Sequence, residues 1–319
     1  MNKGEYMKSK KKFIISTILL LIIIFILMYY KEIPHYFVKT FLYHNYATEE
    51  LEKNNYAKEQ DYNFVQITDD FVAKDKQHLL NIFYTILDSG NTSFYFYCDD
   101  NYLECKNDVD KLIPSTNEEE SALADINNFV HPFNSYKSIN IISNSFGKIT
   151  VTVEKQYTEE EILKINNELQ NIINKNISEN MKLNDKIKAF HDYIINNTSY
   201  DIDRANNMTS SEYQTSSTHT AYGLLVDKKA LCGGYSDIIS IFLYQLEIPN
   251  FRVSADNHVW NLVYLNDTWL HLDATWDDPV TNTGEQLLIY DYFLIPYKKL
   301  LETDPVEHKF NLEIYSEAK

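Results

Sequence analysis

Residues 257–276 read NHVWNLVYLNDTWLHLDATW, and this stretch decides the fold. Apolar and polar side chains alternate on both sides of Asn266-Asp267, which is typical of two β-strands joined by a two-residue turn. A turn of that length pairs Leu265 with Thr268 and so sets the register of the strands. The sequence therefore predicts an antiparallel hairpin in the second half of the chain.

The two faces of this hairpin carry different side chains. One face is apolar and is predicted to be core, although Asn261 interrupts it; its members are Val259, Val263, Leu265, Leu270, Leu272 and Ala274. The opposite face carries His258, Trp260, Leu262, Tyr264, Trp269, His271, Asp273 and Thr275. His258 and Asp273 are diagonal neighbours there, roughly 7–8 Å apart, where a carboxylate can orient an imidazole. A turn one residue longer would put them on opposite faces.

A cysteine stands at the start of a predicted helix upstream of the hairpin. Residues 230–237 read ALCGGYSD, and the apolar residues that follow recur at helical spacing until Pro249. The unpaired N–H groups at a helix start stabilise a thiolate, the nucleophilic form of Cys232. Gly233 and Gly234 would leave room for a substrate backbone. Taken alone, this segment fits a small buried Cys232 as well as a nucleophile.

Five sequence blocks in order resemble the transglutaminase-like superfamily, particularly its bacterial secreted or membrane-anchored members. They are HTAYGLL at 219–225, KKALCGGY at 228–235, NHVWN at 257–261, WLHLDATWDDP at 269–279 and YFLI at 292–295. The resemblance covers roughly residues 180–300. It implies an α+β fold with a papain-like transglutaminase core, in which the cysteine helix packs on an antiparallel sheet.

The resemblance also implies roles for individual residues. Cys232 matches the nucleophile, His258 the general base and acid, and Asp273 the carboxylate that orients the imidazole. The implied reaction is acyl transfer through a thioester, for which no cofactor is expected. The Cys232 N–H would supply part of the oxyanion hole, and Tyr222 and Gln214 are candidates for a second donor.

Three further side chains near these blocks are given structural interpretations. His271 is interpreted as a packing residue or a support for the site. Asp277-Asp278 is interpreted as a solvated turn, and no metal site is expected there.

An apolar run near the N-terminus predicts a membrane anchor. Residues 13–30 read FIISTILLLIIIFILMYY without a charge, and residues 1–12 carry a basic cluster. This length is enough to span a bilayer, and the lysine asymmetry places residues 1–12 in the cytoplasm and the later domains outside the cell. The residues after the run are too bulky or charged for a signal-peptidase site, so an uncleaved single-pass anchor is favoured over a cleaved signal.

The remaining chain is divided by composition and pattern. Residues 31–60 are interpreted as a stalk, residues 61–156 as a small α+β domain acting as a spacer or docking domain, and residues 157–319 as the transglutaminase-like domain. Residues 64–71 are predicted to form a strand and residues 75–87 a helix. Whether Cys98 and Cys105 pair is left open, because geometry decides it.

The sequence predicts a surface enzyme and excludes one broad class. A formal charge of −17 argues against a general nucleic-acid binder. The expected function is acyl transfer on amide groups of a protein or peptide substrate at the cell surface: crosslinking, deamidation or peptide hydrolysis. The alternative is a catalytically silent protein of the same fold that binds cell-surface or wall proteins.

Overall fold

The computed structural model describes residues 14–26, 51–112, 121–144, 147–207, 216–280 and 287–319. The helices are α1 (Lys76–Ser89), α2 (Cys105–Leu112), α3 (Ala122–Phe129), α4 (Glu159–Asn176), α5 (Leu183–Asn197), α6 (Ile202–Asn207), α7 (Cys232–Gln245) and α8 (Tyr297–Thr303). The strands are β1 (Val72–Ala73), β2 (Ser93–Cys98), β3 (Tyr136–Ser143), β4 (Lys148–Lys155), β5 (Ser199–Tyr200), β6 (Lys229–Ala230), β7 (Asn250–Ala255), β8 (His258–Leu265) and β9 (Thr268–Leu272). This mixture of helices and separate sheets agrees with the predicted α+β class.

The first sheet has the strand order β1-β2-β4-β3, with α1 beside it. Asp75 caps α1 at its start through the N–H of His78, and Gly90 ends the helix in a left-handed conformation. A disulfide joins Cys98 to Cys105, which settles the pairing that spacing alone left open.

The prediction of a strand at residues 64–71 is wrong. The backbone N–H groups of this segment donate to side chains instead of to a neighbouring strand. Ile67 N–H donates to Asp61 at 2.9 Å, and Thr68 N–H donates to Thr85 of α1 at 3.0 Å. Alternating apolar residues therefore pack against α1 here without entering the ladder, which begins only at Val72.

The predicted hairpin is confirmed in its register. Leu265 pairs with Thr268 and Asn261 with Leu272, and β7 pairs antiparallel on the other side of β8. Asn266 and Asp267 both have positive φ, 52° and 62°, as a tight turn of this kind requires.

Helix α7 packs on this three-stranded sheet. Its first residue is Cys232, and its start needs no side-chain cap. Asn261, the polar residue on the apolar face of the hairpin, bonds to this helix. Its amide donates to Ser236 O at 2.9 Å and to the Ser240 hydroxyl at 3.0 Å, both on α7.

Both faces of the hairpin are buried, each in its own core cluster. Val263, Leu265 and Leu272 pack with α4, α5 and α7. Trp260 and Leu262 pack with the side chains of residues 62–153 and with the C-terminal segment. The face that carries the predicted site is thus also the face that joins the two halves of the chain.

A buried ion pair strengthens this join. Arg252 on β7 bonds to Asp237 on α7 and donates to Asn127 O at 2.5 Å and to the Ser135 hydroxyl at 2.9 Å in the first half. Asp237 also accepts a hydrogen bond from the Tyr157 hydroxyl. Breaking such a buried pair would leave an uncompensated charge. Because Arg252 also bonds to residues 127 and 135, it connects the cysteine helix to the first half of the chain.

Residues 14–26 form a helix with exposed side chains. They are the part of the predicted anchor, residues 13–30, that lies within the described residues. Among the described residues no helix has both the length and the apolar character needed to cross a membrane.

Candidate active site

His258 and Asp273 form a close pair at the end of the hairpin. His258 Nε2 lies 2.5 Å from Asp273 Oδ2, and the Asp273 side chain is only 1% exposed. The second oxygen, Oδ1, accepts the N–H of Thr275 at 2.9 Å and of Trp276 at 3.2 Å. These two backbone donors fix the carboxylate in the plane that meets the imidazole.

Cys232 completes the group from the start of α7. Its side chain is half-buried, and its thiol donates to the backbone oxygen of Asn257, the residue before His258, at a sulfur–oxygen distance of 4.0 Å. The thiol also interacts electrostatically with the His258 ring. Because Nε2 of His258 is taken by Asp273, the other ring nitrogen, Nδ1, is the one left for the thiol. The structure therefore brings the three predicted site residues together; their role in catalysis stays a prediction.

The electrostatics of this group favour an imidazolium. Burial lowers the pKa of His258, but the charge of Asp273, the hydrogen bond to it and the interaction with Cys232 outweigh burial and raise the pKa to about 10. Burial raises the pKa of Asp273, and the charges and hydrogen bonds of His258 and His308 reverse this and hold the pKa well below its usual range. A charged imidazole next to a thiol is the environment that stabilises a thiolate.

Sequence reasoning missed a second imidazole on the same carboxylate. His308 Nε2 donates to Asp273 Oδ2 at 2.9 Å, and His308 Nδ1 lies 2.9 Å from Asp304 Oδ2. The His308 side chain is 0% exposed. His308 lies 35 residues after Asp273 in the chain, on a loop after α8 that carries no hydrophobic periodicity. The only signal that could have indicated it is its residue type: His308 is the one histidine of the sequence after Asp273.

His271 has the structural role predicted for it. Its Nδ1 accepts the indole N–H of Trp260 at 3.0 Å, and its Nε2 donates to Ala318 O at 2.9 Å. Burial lowers the pKa of His271 to about 4, so the ring is neutral. It anchors the C-terminal segment against β9 and makes no described contact with Cys232 or His258.

The cluster His258, Asp273 and His308 has the composition of a metal site. Its ligand atoms lie within 4.8 Å of one another. The two nitrogens, however, sit at hydrogen-bond distance from one shared oxygen, and a zinc ion needs its own position about 2.0–2.2 Å from each ligand. Hydrogen bonds therefore account for this arrangement.

The interpretation of Asp277-Asp278 as a solvated turn is wrong. Both side chains are buried. Asp277 Oδ2 lies 3.1 Å from Nε2 of His191, whose Nδ1 lies 3.2 Å from Asp192. Asp278 accepts the hydroxyl of Tyr235 at 2.5 Å. We call His191, Asp192 and Asp277 the His191 cluster; it holds the chain directly after Asp273 against α5.

Gly233 and Gly234 have a packing role. A Cβ on Gly233 would lie 2.7 Å from His219 O, and a Cβ on Gly234 would lie 2.9 Å from Thr220 O. Both distances are too short for real side chains. The glycines therefore let α7 begin against the backbone of the preceding segment; that they also leave room for a substrate stays a prediction.

The oxyanion candidates fall in different places. Tyr222 lies under the Lys164 ammonium of α4, 5.7 Å from it, and Gln214 is outside the described residues. Tyr200 on β5 is electrostatically coupled to the site: burial, and then the charges of Cys232, Asp273 and Asp201, raise its pKa. Sequence reasoning did not single out Tyr200.

Comparison with known proteins supports the resemblance. Residues 170–274 match the family described as the transglutaminase-like superfamily. That stretch contains Cys232, His258 and Asp273 and ends before His308. The predicted resemblance is confirmed over these residues.

A solved structure titled "Crystal structure of a TGase" is 19% identical to this chain, with a TM-score of 0.34. The match covers 44% of this chain, and the chain spans 44% of the length of that structure. Comparison with curated proteins gives no match.

Proposed function

We propose, from the premise that residues 170–274 belong to the transglutaminase-like superfamily, that this chain is a cysteine enzyme that transfers acyl groups from protein amides. Cys232 is the nucleophile, His258 the general base and acid, and Asp273 the carboxylate that orients His258. The products are a crosslinked, deamidated or hydrolysed protein, depending on which amide is attacked and what resolves the thioester.

One observation carries this proposal. The His258 ring is held by the buried Asp273 carboxylate, and the Cys232 thiol lies beside it, against the backbone oxygen of Asn257, the residue before His258. A packing cysteine has no need of an imidazole held by a buried carboxylate, whereas a nucleophile does.

The reaction follows from these groups. The Cys232 thiolate attacks the carbonyl carbon of the amide. The new oxyanion accepts a hydrogen bond from the backbone N–H at the start of α7. The carbon–nitrogen bond then breaks, and the His258 imidazolium gives its proton to the leaving ammonia or amine. Water or a lysine amine attacks the thioester and passes a proton to His258, and the thiolate leaves with its electron pair.

We also propose that the enzyme is anchored in the cell membrane by residues 13–30, with its folded part outside. The charge-free run and the preceding lysines support this orientation. The Cys98–Cys105 disulfide supports an oxidising compartment for the folded part. Alkylation of single cysteines introduced before and after the run, in intact cells, tests the orientation.

The test of the chemistry is labelling with a thiol-reactive probe that carries a vinyl sulfone group. We expect labelling of the wild type, no labelling of Cys232→Ala and slow labelling of His258→Ala. Incorporation of an amine into a glutamine donor then separates a crosslinking enzyme from a peptidase. If His258→Ala is labelled as fast as the wild type, the chain is a silent member of the fold that binds surface proteins.

A further inference from the structure

The carboxylate that orients His258 is shared between two imidazoles. Asp273 Oδ2 lies 2.5 Å from His258 Nε2 and 2.9 Å from His308 Nε2. The His258 and His308 rings meet edge to face, with centroids 5.3 Å apart. The position of His308 is determined by contact with the same atom that positions the proposed general base.

His308 is itself held from the other side. Its Nδ1 lies 2.9 Å from Asp304 Oδ2, and Asp304 Oδ1 accepts the N–H groups of Val306 at 3.0 Å and Glu307 at 3.2 Å. Burial raises the pKa of Asp304, but the hydrogen bonds from Val306, His308 and Glu307 outweigh burial and lower it. Asp304 therefore stays an anion and fixes the orientation of the His308 ring.

Aromatic rings enclose His308. Tyr292 stacks on it with centroids 5.0 Å apart, and Trp260 and Trp276 approach its edges at 4.8 Å and 5.1 Å. The ring is fully buried. Its two nitrogens face two carboxylates, and the ring can donate to both only when each nitrogen carries a proton. His271 faces an N–H and a carbonyl instead, so a proton on one nitrogen satisfies both of its contacts.

We infer that His308, held by Asp304, is a positioning residue that fixes the Asp273 carboxylate and places a positive charge behind it. This inference rests on the proposed function, because it concerns the same site. The residue lies outside the stretch that matches the family, residues 170–274. The C-terminal segment thus supplies part of the site.

The direction in which a positive charge on His308 would change the ionisation of Cys232 and His258 can be predicted. A cation near Cys232 and His258 favours the thiolate and disfavours the imidazolium. Both ionisations of the Cys232–His258 pair therefore occur at lower pH than they would without it. The titratable groups that face the two imidazoles are Cys232, Asp273, Asp304, His271 and Tyr292.

The test is the rate of Cys232 alkylation by iodoacetamide between pH 4 and 10, on the full chain. The sequence has three cysteines, and Cys98 and Cys105 form the disulfide, so the reagent reports on Cys232. His308→Gln keeps a donor for Asp273 but has no charge. We expect both limbs of its pH profile to move to higher pH by on the order of one unit. His308→Leu loses donor and charge, so its rate also falls.

A matched control is available in His191→Gln. His191 is also buried between two carboxylates, those of Asp192 and Asp277. We expect it to lose thermal stability without a shift in the alkylation profile. Asp304→Asn, nearer the surface, is the second variant and should shift the profile in the same direction as His308→Gln.

The outcomes separate this inference from the proposed function. If wild-type Cys232 reacts like an ordinary free thiol, with no thiolate at low pH, the proposed function fails and this inference with it. If the wild type shows the thiolate pair but folded His308→Leu and Asp304→Asn keep its profile, only the inference fails and His308 is a packing residue. A loss of amplitude without a shift in any of these variants overturns the inferred positive charge behind Asp273.

Discussion

Two buried groups of imidazole and carboxylate flank the same short stretch of chain, and only one resembles a reactive centre. In the His191 cluster, one imidazole lies between two carboxylates and every side chain but that of Asp192 is fully buried. In the site cluster, which we define as Cys232, His258, Asp273 and His308, one carboxylate lies between two imidazoles, and His258 keeps 12% of its side chain exposed. Only the site cluster combines the paired charges with a thiol and an exposed edge, so we expect the His191 cluster to contribute to stability and the site cluster to reactivity.

The largest expected effect is on reactivity. Asp273→Asn should slow vinyl sulfone labelling of Cys232 by about 10³-fold, because the amide cannot stabilise the His258 imidazolium. Asp277→Asn, in the His191 cluster, should change labelling less than about 10-fold. Labelling rates at pH 7 measure both; similar losses in the two variants would erase the distinction between the clusters.

The next effect is on stability and is expected in the other cluster. Asp277→Ala removes one partner of a fully buried pair and leaves the His191 ring without it, so the free energy of unfolding should fall by about 3 kcal/mol. Urea denaturation measures this loss. Asp192→Ala should lower the free energy of unfolding less, because His191 keeps its bond to Asp277. An equal loss in the two variants would contradict the greater importance of Asp277.

The pH dependence of stability sharpens the comparison further. The pKa of His258 is about 10 in the folded chain against 6.5 ordinarily, so its proton is held more tightly when folded. The resulting stabilisation is complete below pH 6.5 and is lost as pH rises towards 10. The difference between these two pKa values corresponds to a loss on the order of 5 kcal/mol over this range.

The matched variant for this prediction is His258→Gln, in which the loss between pH 6.5 and 10 should be largely absent. Urea denaturation at several pH values provides the measurement. A wild-type stability that rises with pH over this range would have the wrong sign. The depressed pKa of Asp273 acts at the other end: its contribution is present above about pH 4 and disappears as pH falls below it.

The smallest effect is expected at a hydrogen bond that connects α7, which carries Cys232, to the chain next to the His191 cluster. Tyr235 on α7 donates its hydroxyl to Asp278, next to Asp277. Tyr235→Phe should lower the free energy of unfolding by about 1 kcal/mol, because a buried acceptor loses a donor. Tyr264→Phe, at a half-exposed position, serves as the control and should be neutral in the same denaturation series. If Tyr264→Phe lowers the free energy of unfolding more than Tyr235→Phe does, the hydrogen bond from Tyr235 to Asp278 does not account for the loss.

The sequence was sufficient where structure depends on local pattern. The hairpin register followed from the two-residue turn, and the start of α7 at Cys232 followed from helical spacing; together these two features place His258 near Asp273 and near the thiol. The start of α4 at Glu159 also has a local basis, the capping box that Thr158 forms with Glu161.

Sequence reasoning failed where a side chain acquires its role through distant contacts. His308 reaches Asp273 only because the C-terminal segment folds back over β9, a contact with no periodic signal. Asp277 and Asp278 read as solvated because their partners, His191 and Tyr235, are 86 and 43 residues away. Residues 64–71 alternate like a strand, but side chains of α1 and of residues 61 and 68, instead of a neighbouring strand, supply acceptors for their N–H groups.

The Arg252 guanidinium has a consequence for how such a chain could be assembled from parts. Its three partners belong to the cysteine helix and to the first half of the chain, so neither half can be exchanged with that of a relative unless the acceptors at Asn127 O and Ser135 come with it. A chimaera that lacks them would keep the ion pair with Asp237 but leave the other guanidinium nitrogen of Arg252, Nη2, buried without its two acceptors. In this molecule, recombination at the junction between the halves is constrained by one arginine.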